Sequence, residues 1–76
     1  MLTTGNQLKA ARALAGIKQG DLAKAARINV ATISAMEGKG PAELTSGVDT
    51  VLAVVRALES SGIELLNNGV QLKATR

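Results

Sequence analysis

The chain has 76 residues and no cysteine, histidine or aromatic side chain, so it makes one domain at most and lacks the means for disulfides, zinc–thiolate sites, imidazole catalysis or base-stacking platforms. Its net charge of +3 is compatible with a phosphate-bearing partner and equally with an ordinary soluble surface. No apolar run reaches the ~20 residues of a membrane span and the N-terminus carries no signal-peptide pattern, which leads us to expect a cytoplasmic protein with no membrane partner.

Thr4 and Gln7 have the spacing of a capping box, with Thr4 accepting the Gln7 N–H and the Gln7 side chain reaching back to the Thr4 N–H. Leu8, Ala11, Leu14 and Ala15 follow at helical spacing and Gly16 offers a stop, which predicts a helix over 5–15. A second helix is expected over 19–26, with Asp21 complementing the macrodipole and Leu22, Ala23 and Ala26 inward; Lys18 is a poor cap for it. Asn29 is a good N-cap for a third helix over 30–37, in which Ile33 and Met36 point inward and Gly38 marks the end. The loop "GKGPAELTSG" leads to a second capping box, Ser46 with Asp49, and a fourth helix over 48–60. Its stripe is Val48, Val51, Leu52, Val55 and Leu58, and Val54 widens it. The tail then alternates apolar and polar residues around Asn68-Gly69. That pattern predicts a hairpin over 63–67 and 70–73, with Leu65 opposite Leu72 and Glu64 opposite Lys73.

The second and third helices are short, close together and joined by a tight turn, and the third is bland on its outer face. A helix-turn-helix explains that combination, because one helix can hold the other at a fixed angle in the DNA major groove. Ala23 is small where the two helices approach, Ile28 plugs the turn, and Ile33 and Met36 leave Val30, Ala31, Ser34 and Ala35 facing out. The plain alternative is a helical hairpin in a small bundle. Leu8, Arg12, Gln19, Leu22, Ala23, Ile28, Ile33, Glu37 and Gly38, taken together over residues 7–40, resemble the phage Cro and repressor type of helix-turn-helix domain. The fold this implies is mainly α: a lambda-repressor-like bundle of four helices, followed here by a C-terminal β-hairpin where the family as a rule has a fifth helix.

What the resemblance implies can be carried over residue by residue. Gln19 would meet a phosphate at the first turn of helix 2. Asn29, Val30, Ala31, Thr32, Ser34 and Ala35 would form the recognition surface, and Lys39 would meet the backbone. Arg12 and Glu37 match a structural ion pair. Two departures stand out: Arg27 occupies the turn position usually held by glycine, and the recognition helix has no Gln, Arg or Asn for bidentate base contacts.

The expected function is therefore sequence-specific binding of double-stranded DNA by a homodimeric transcriptional regulator, a repressor. The alternative is an antitoxin whose main partner is a toxin or other regulatory protein. No catalytic residues, metal ligands or cofactor are expected, because these residue types supply no nucleophile–base pair or carboxylate dyad. The tail is expected to help form the dimer, since Leu66 falls on the hairpin face away from the fourth helix and Val54 at the margin of that helix.

Overall fold

Four helices and a two-stranded antiparallel hairpin follow one another in a computed structural model that describes residues 2–66 and 69–73. They are α1 (Gly5–Ala15), α2 (Gln19–Ala26), α3 (Val30–Gly38), α4 (Val48–Ser60), β1 (Ile63–Leu65) and β2 (Val70–Leu72). Leu8, Leu22, Ile33, Val54, Leu58 and Ile63 are fully buried, so all four helices and β1 anchor in one core. Among the described residues no helix is long and apolar enough to cross a membrane.

Helix α1 starts where the Thr4 hydroxyl accepts the Gln7 N–H at 3.1 Å. The reciprocal half of the expected box is displaced by one residue: Gln7 Oε1 accepts from the Thr3 N–H at 2.8 Å. The Gln7 amide nitrogen instead donates to the carbonyls of Leu66 (2.8 Å) and Gly69 (3.1 Å), fastening α1 to the end of the hairpin. A cap residue thus doubles as a buried long-range tie. Gly16 ends α1 in the left-handed conformation, with φ 72°. Leu8 and Ala11 are buried, whereas Leu14 is 41% exposed and lies off the buried face.

The poor cap at Lys18 is offset by Asp21, whose Oδ2 accepts the Lys18 N–H at 3.1 Å. Helix α2 ends at Arg27, which is held left-handed at φ 59°, ψ 43°, with the next N–H, from Ile28, donating to the Ala23 carbonyl at 3.0 Å. A non-glycine residue in that conformation costs about 1 kcal/mol. Arg27→Gly should therefore raise the unfolding free energy by about 0.5 kcal/mol, the strain relieved less the entropy glycine adds to the unfolded chain. Urea denaturation reads this directly; a less stable variant would show that the Arg27 side chain contributes more than the strain removes.

Asn29 Oδ1 accepts the Ala31 N–H at 2.8 Å and caps α3 as expected. Gly38 is the last helical residue, so α3 ends there as expected; Lys39 follows in right-handed conformation, and the chain reverses only at Gly40, φ 58°. Helices α1 and α3 meet backbone to backbone at Gly5. A methyl group there would press on the Met36 carbonyl oxygen and lie 2.8 Å from Gly40 N and 2.9 Å from the Glu37 carbonyl oxygen. Alongside, the Asn6 N–H donates to Gly40 O and the Leu44 N–H to Thr3 O, each at 2.8 Å.

Helix α4 begins behind Gly47, which takes the N-cap position with no side-chain hydrogen bond, so the Ser46–Asp49 capping box does not form. Its buried residues are Val54, Val55, Ala57 and Leu58, while Val48 is 74% exposed. Of the expected stripe, Val55 and Leu58 are buried and Val51 packs against the core, whereas Val48 lies in a first turn that extends past it. Val54 is core and is not available to a partner.

The hairpin register is Ile63↔Leu72, Glu64↔Gln71 and Leu65↔Val70. It differs by two positions from the expected Leu65–Leu72 and Glu64–Lys73 pairing, and the strands are shorter than expected. The Leu66 N–H donates to the Gly69 carbonyl at 2.9 Å, which closes the ladder one residue before the expected turn; of the Asn68-Gly69 turn, Asn68 lies outside the described residues. Gln7 holds the Leu66 and Gly69 carbonyls side by side, an anchor that local turn propensity does not contain. Because the offset is even, the faces are preserved. Ile63, Leu65 and Val70 turn to the core, and Leu72 at the margin is 57% exposed.

Candidate nucleic-acid interface

Helix α3 divides its residues cleanly. Ile33 and Met36 are buried, Thr32 is half-buried, and Val30, Ala31, Ser34 and Ala35 are exposed. The outward surface carries short, uncharged side chains, so a partner can approach the helix backbone closely. Asn29 is exposed but spends its side-chain oxygen on the Ala31 cap. Along one flank runs a shallow groove of about 300 Å³, where Ala31, Thr32 and Ala35 meet Lys39, Thr45 and Ser46. Thr45 and Ser46 were not among the residues expected at the site. They come from the loop before α4, and only the folded loop brings them into one groove with Lys39. An ammonium and hydroxyl-bearing side chains lining one groove are suited to phosphate oxygens.

Behind this surface sits a bidentate ion pair. Arg12 Nε is 2.7 Å from Glu37 Oε2 and Arg12 Nη2 is 3.1 Å from Oε1, with side-chain exposures of 19% and 6%. Arg12 Nη1 also donates to the Ile17 carbonyl at 3.1 Å. Gln19 Nε2 donates to Glu37 Oε1 at 3.1 Å, so one carboxylate joins α1, α2 and α3. Burial alone would raise the Glu37 pKa, but the hydrogen bonds from Arg12 and Gln19, with the charge of Arg12, outweigh it and hold the carboxyl below its usual range. The hydrogen bond to Glu37 raises Arg12 in turn.

The expected site residues therefore fall into two groups. Ala31, Thr32, Ala35 and Lys39 share the groove, and Val30 and Ser34 lie on the same helix. Gln19, half-buried in the first turn of α2, is brought to the ion pair; one amide hydrogen is committed to Glu37, and the amide has a second to offer. Glu37 faces inward and is no part of the outer surface. No protein-family model matches this chain, and no curated protein sequence is similar enough to it to support a comparison.

Proposed function

We propose that the protein binds double-stranded DNA as a sequence-specific transcriptional regulator of lambda-repressor-like type, a homodimer that lays α3 in the major groove. In the simplest case it represses by occupying its site. The observation that carries this reading is the uncharged outer face of α3, held at a fixed angle to α2 by the tight turn at Arg27 and Ile28 and by the Gln19–Glu37 hydrogen bond. In this reading Val30 and Ala31 touch thymine methyl groups and Ser34 donates or accepts at a base edge. Lys39, Thr45, Ser46 and the N-terminus of α2 with Gln19 hold phosphates. With no bidentate side chain on α3, much of the specificity comes from DNA shape.

The test is selection of duplexes from a random pool, followed by salt titration of the selected sequence. Affinity should fall steeply with salt as phosphate contacts release counterions. If no duplex binds better than micromolar at low salt, the reading fails. Ala31→Glu should weaken the selected complex by about 30-fold, since it sets a carboxylate against the groove, with native circular dichroism. Gln19→Ala should weaken all sequences by a similar factor. Undiminished affinity in Ala31→Glu would mean that α3 is not the reading helix.

A further inference from the structure

The hairpin's hydrogen-bond register decides which of its backbone groups point outward. The Leu66 N–H donates to Gly69 O, and the Lys73 N–H donates to Gly62 O at 2.7 Å. Hydrogen-bonded pairs alternate along an antiparallel ladder, so Glu64 and Gln71 turn their N–H and C=O groups toward each other. Val70 and Leu72 turn theirs away, along the outer edge of β2. Among the described residues no donor or acceptor meets those groups. Leu72 beside them is 57% exposed. A two-stranded sheet is marginal by itself, and an unpaired edge with no charge or proline along Val70, Gln71 and Leu72 lacks the usual protection against pairing.

We infer that the outer edge of β2 pairs with the same edge of a second copy of this chain, antiparallel, about a two-fold axis through Gln71. The inference deepens the homodimer reading above and rests on it. The edge is self-complementary in this register. Val70 faces Leu72 of the second copy and Leu72 faces its Val70, and each pair exchanges two N–H···O bonds, four in all. The exposed Leu72 is covered by Val70 of the other copy, and the two hairpins become one four-stranded sheet. The outer edge of β1 fits a second copy poorly. A two-fold there centres on Glu64 and sets two carboxylates directly opposite each other, which is destabilising, whereas the β2 axis brings together two neutral glutamines.

Site-directed cross-linking on the full chain, without DNA, tests this. Gln71 opposite Gln71 is a non-hydrogen-bonded pair with Cα atoms about 4.5 Å apart, within the span of a disulfide. The chain has no cysteine of its own, so Gln71→Cys should oxidise to a covalent dimer while Glu64→Cys, one strand further from the axis, should not. Leu72→Pro removes one outward N–H per copy without touching the intrachain ladder, and sedimentation should show the dimer dissociation constant rising by about 30-fold. Leu72→Lys, an exposed substitution that leaves the backbone unchanged, should shift the protein to monomer with native circular dichroism. A wild-type monomer at tens of micromolar would overturn the inference. So would equal cross-linking through Glu64→Cys, or a dimer indifferent to both Leu72 variants. DNA binding measured separately on the same samples keeps the two readings apart. A Gln71-linked dimer that binds no duplex supports this interface and sinks the DNA reading, and a monomer that binds duplex tightly does the reverse.

Discussion

Gly5→Ala should lose about 3 kcal/mol of stability, the upper part of the range for overpacking, although alanine is the better helix former by up to about 1 kcal/mol. The contacts decide the sign. The added methyl would meet the Met36 carbonyl oxygen, Gly40 N and the Glu37 carbonyl oxygen, all of them backbone. No rotamer change can clear backbone atoms, so one segment has to move. The segments are tied to each other next to the clash by Asn6 N–H to Gly40 O and Leu44 N–H to Thr3 O, and separating α1 from the end of α3 would loosen both. For a domain of this size each kilocalorie shifts the melting temperature by about 4–8 °C, so the midpoint should fall by roughly 12 °C or more. Gly20→Ala is the control. Gly20 lies in α2 with nothing within 4 Å of the added methyl, and that substitution should stabilise by about 0.5 kcal/mol or more. If the two substitutions have the same sign, the close approach at Gly5 is not a constraint on the fold.

That contrast also marks what could be read from the residues alone. The Thr4 hydroxyl cap, the Gly16 stop and the Asn29 cap are local, each acting within four residues of its own position, and all three form. The inward pair Ile33 and Met36 follows from helical period and is buried. Long-range features were not legible. Gly5 has no local signature, because its constraint comes from a backbone more than 30 positions along the chain. Gln7 satisfies part of the local capping pattern, yet its amide nitrogen reaches the hairpin and holds the end of the ladder there. The hairpin register differs by two positions from the one turn propensity implies, whereas the apolar faces, which depend only on parity, are those expected. Val48 and Val54 show the same limit, since period alone does not say where along α4 the core begins. Within the candidate site, the outward residues of α3 were legible from spacing. The position of Thr45 and Ser46 beside Lys39 was not, because it is set by the path of a loop. The pairing of Arg12 with Glu37 came from family resemblance, and the attachment of Gln19 to the same carboxylate came from neither source.

The carboxylate of Glu37 is the polar centre of the bundle, and removing it should be as costly as the Gly5 clash. Its side chain is 6% exposed and receives hydrogen bonds from Arg12 Nε, Arg12 Nη2 and Gln19 Nε2. Glu37→Ala leaves Arg12 charged, largely desolvated and without its counter-ion, and the expected loss is about 3 kcal/mol. Replacing both partners with apolar residues of similar volume, Arg12→Met with Glu37→Leu, strands no charge and should restore most of that loss. The direction of the Glu37 pKa shift adds a pH signature. Its folded value lies below the unfolded one, so the pair's contribution is complete above the unfolded glutamate value of about 4.3 and disappears as pH falls through the folded value. Glu37→Gln keeps the shape but has no proton to bind. The stability gap between wild type and Glu37→Gln, read by urea unfolding, should be widest near neutrality and shrink between about pH 5 and pH 3. A gap that stays constant across that window would mean the carboxylate acts through packing alone. A Glu37→Ala protein within about 1 kcal/mol of wild type would mean that the ion pair contributes no more than an exposed one.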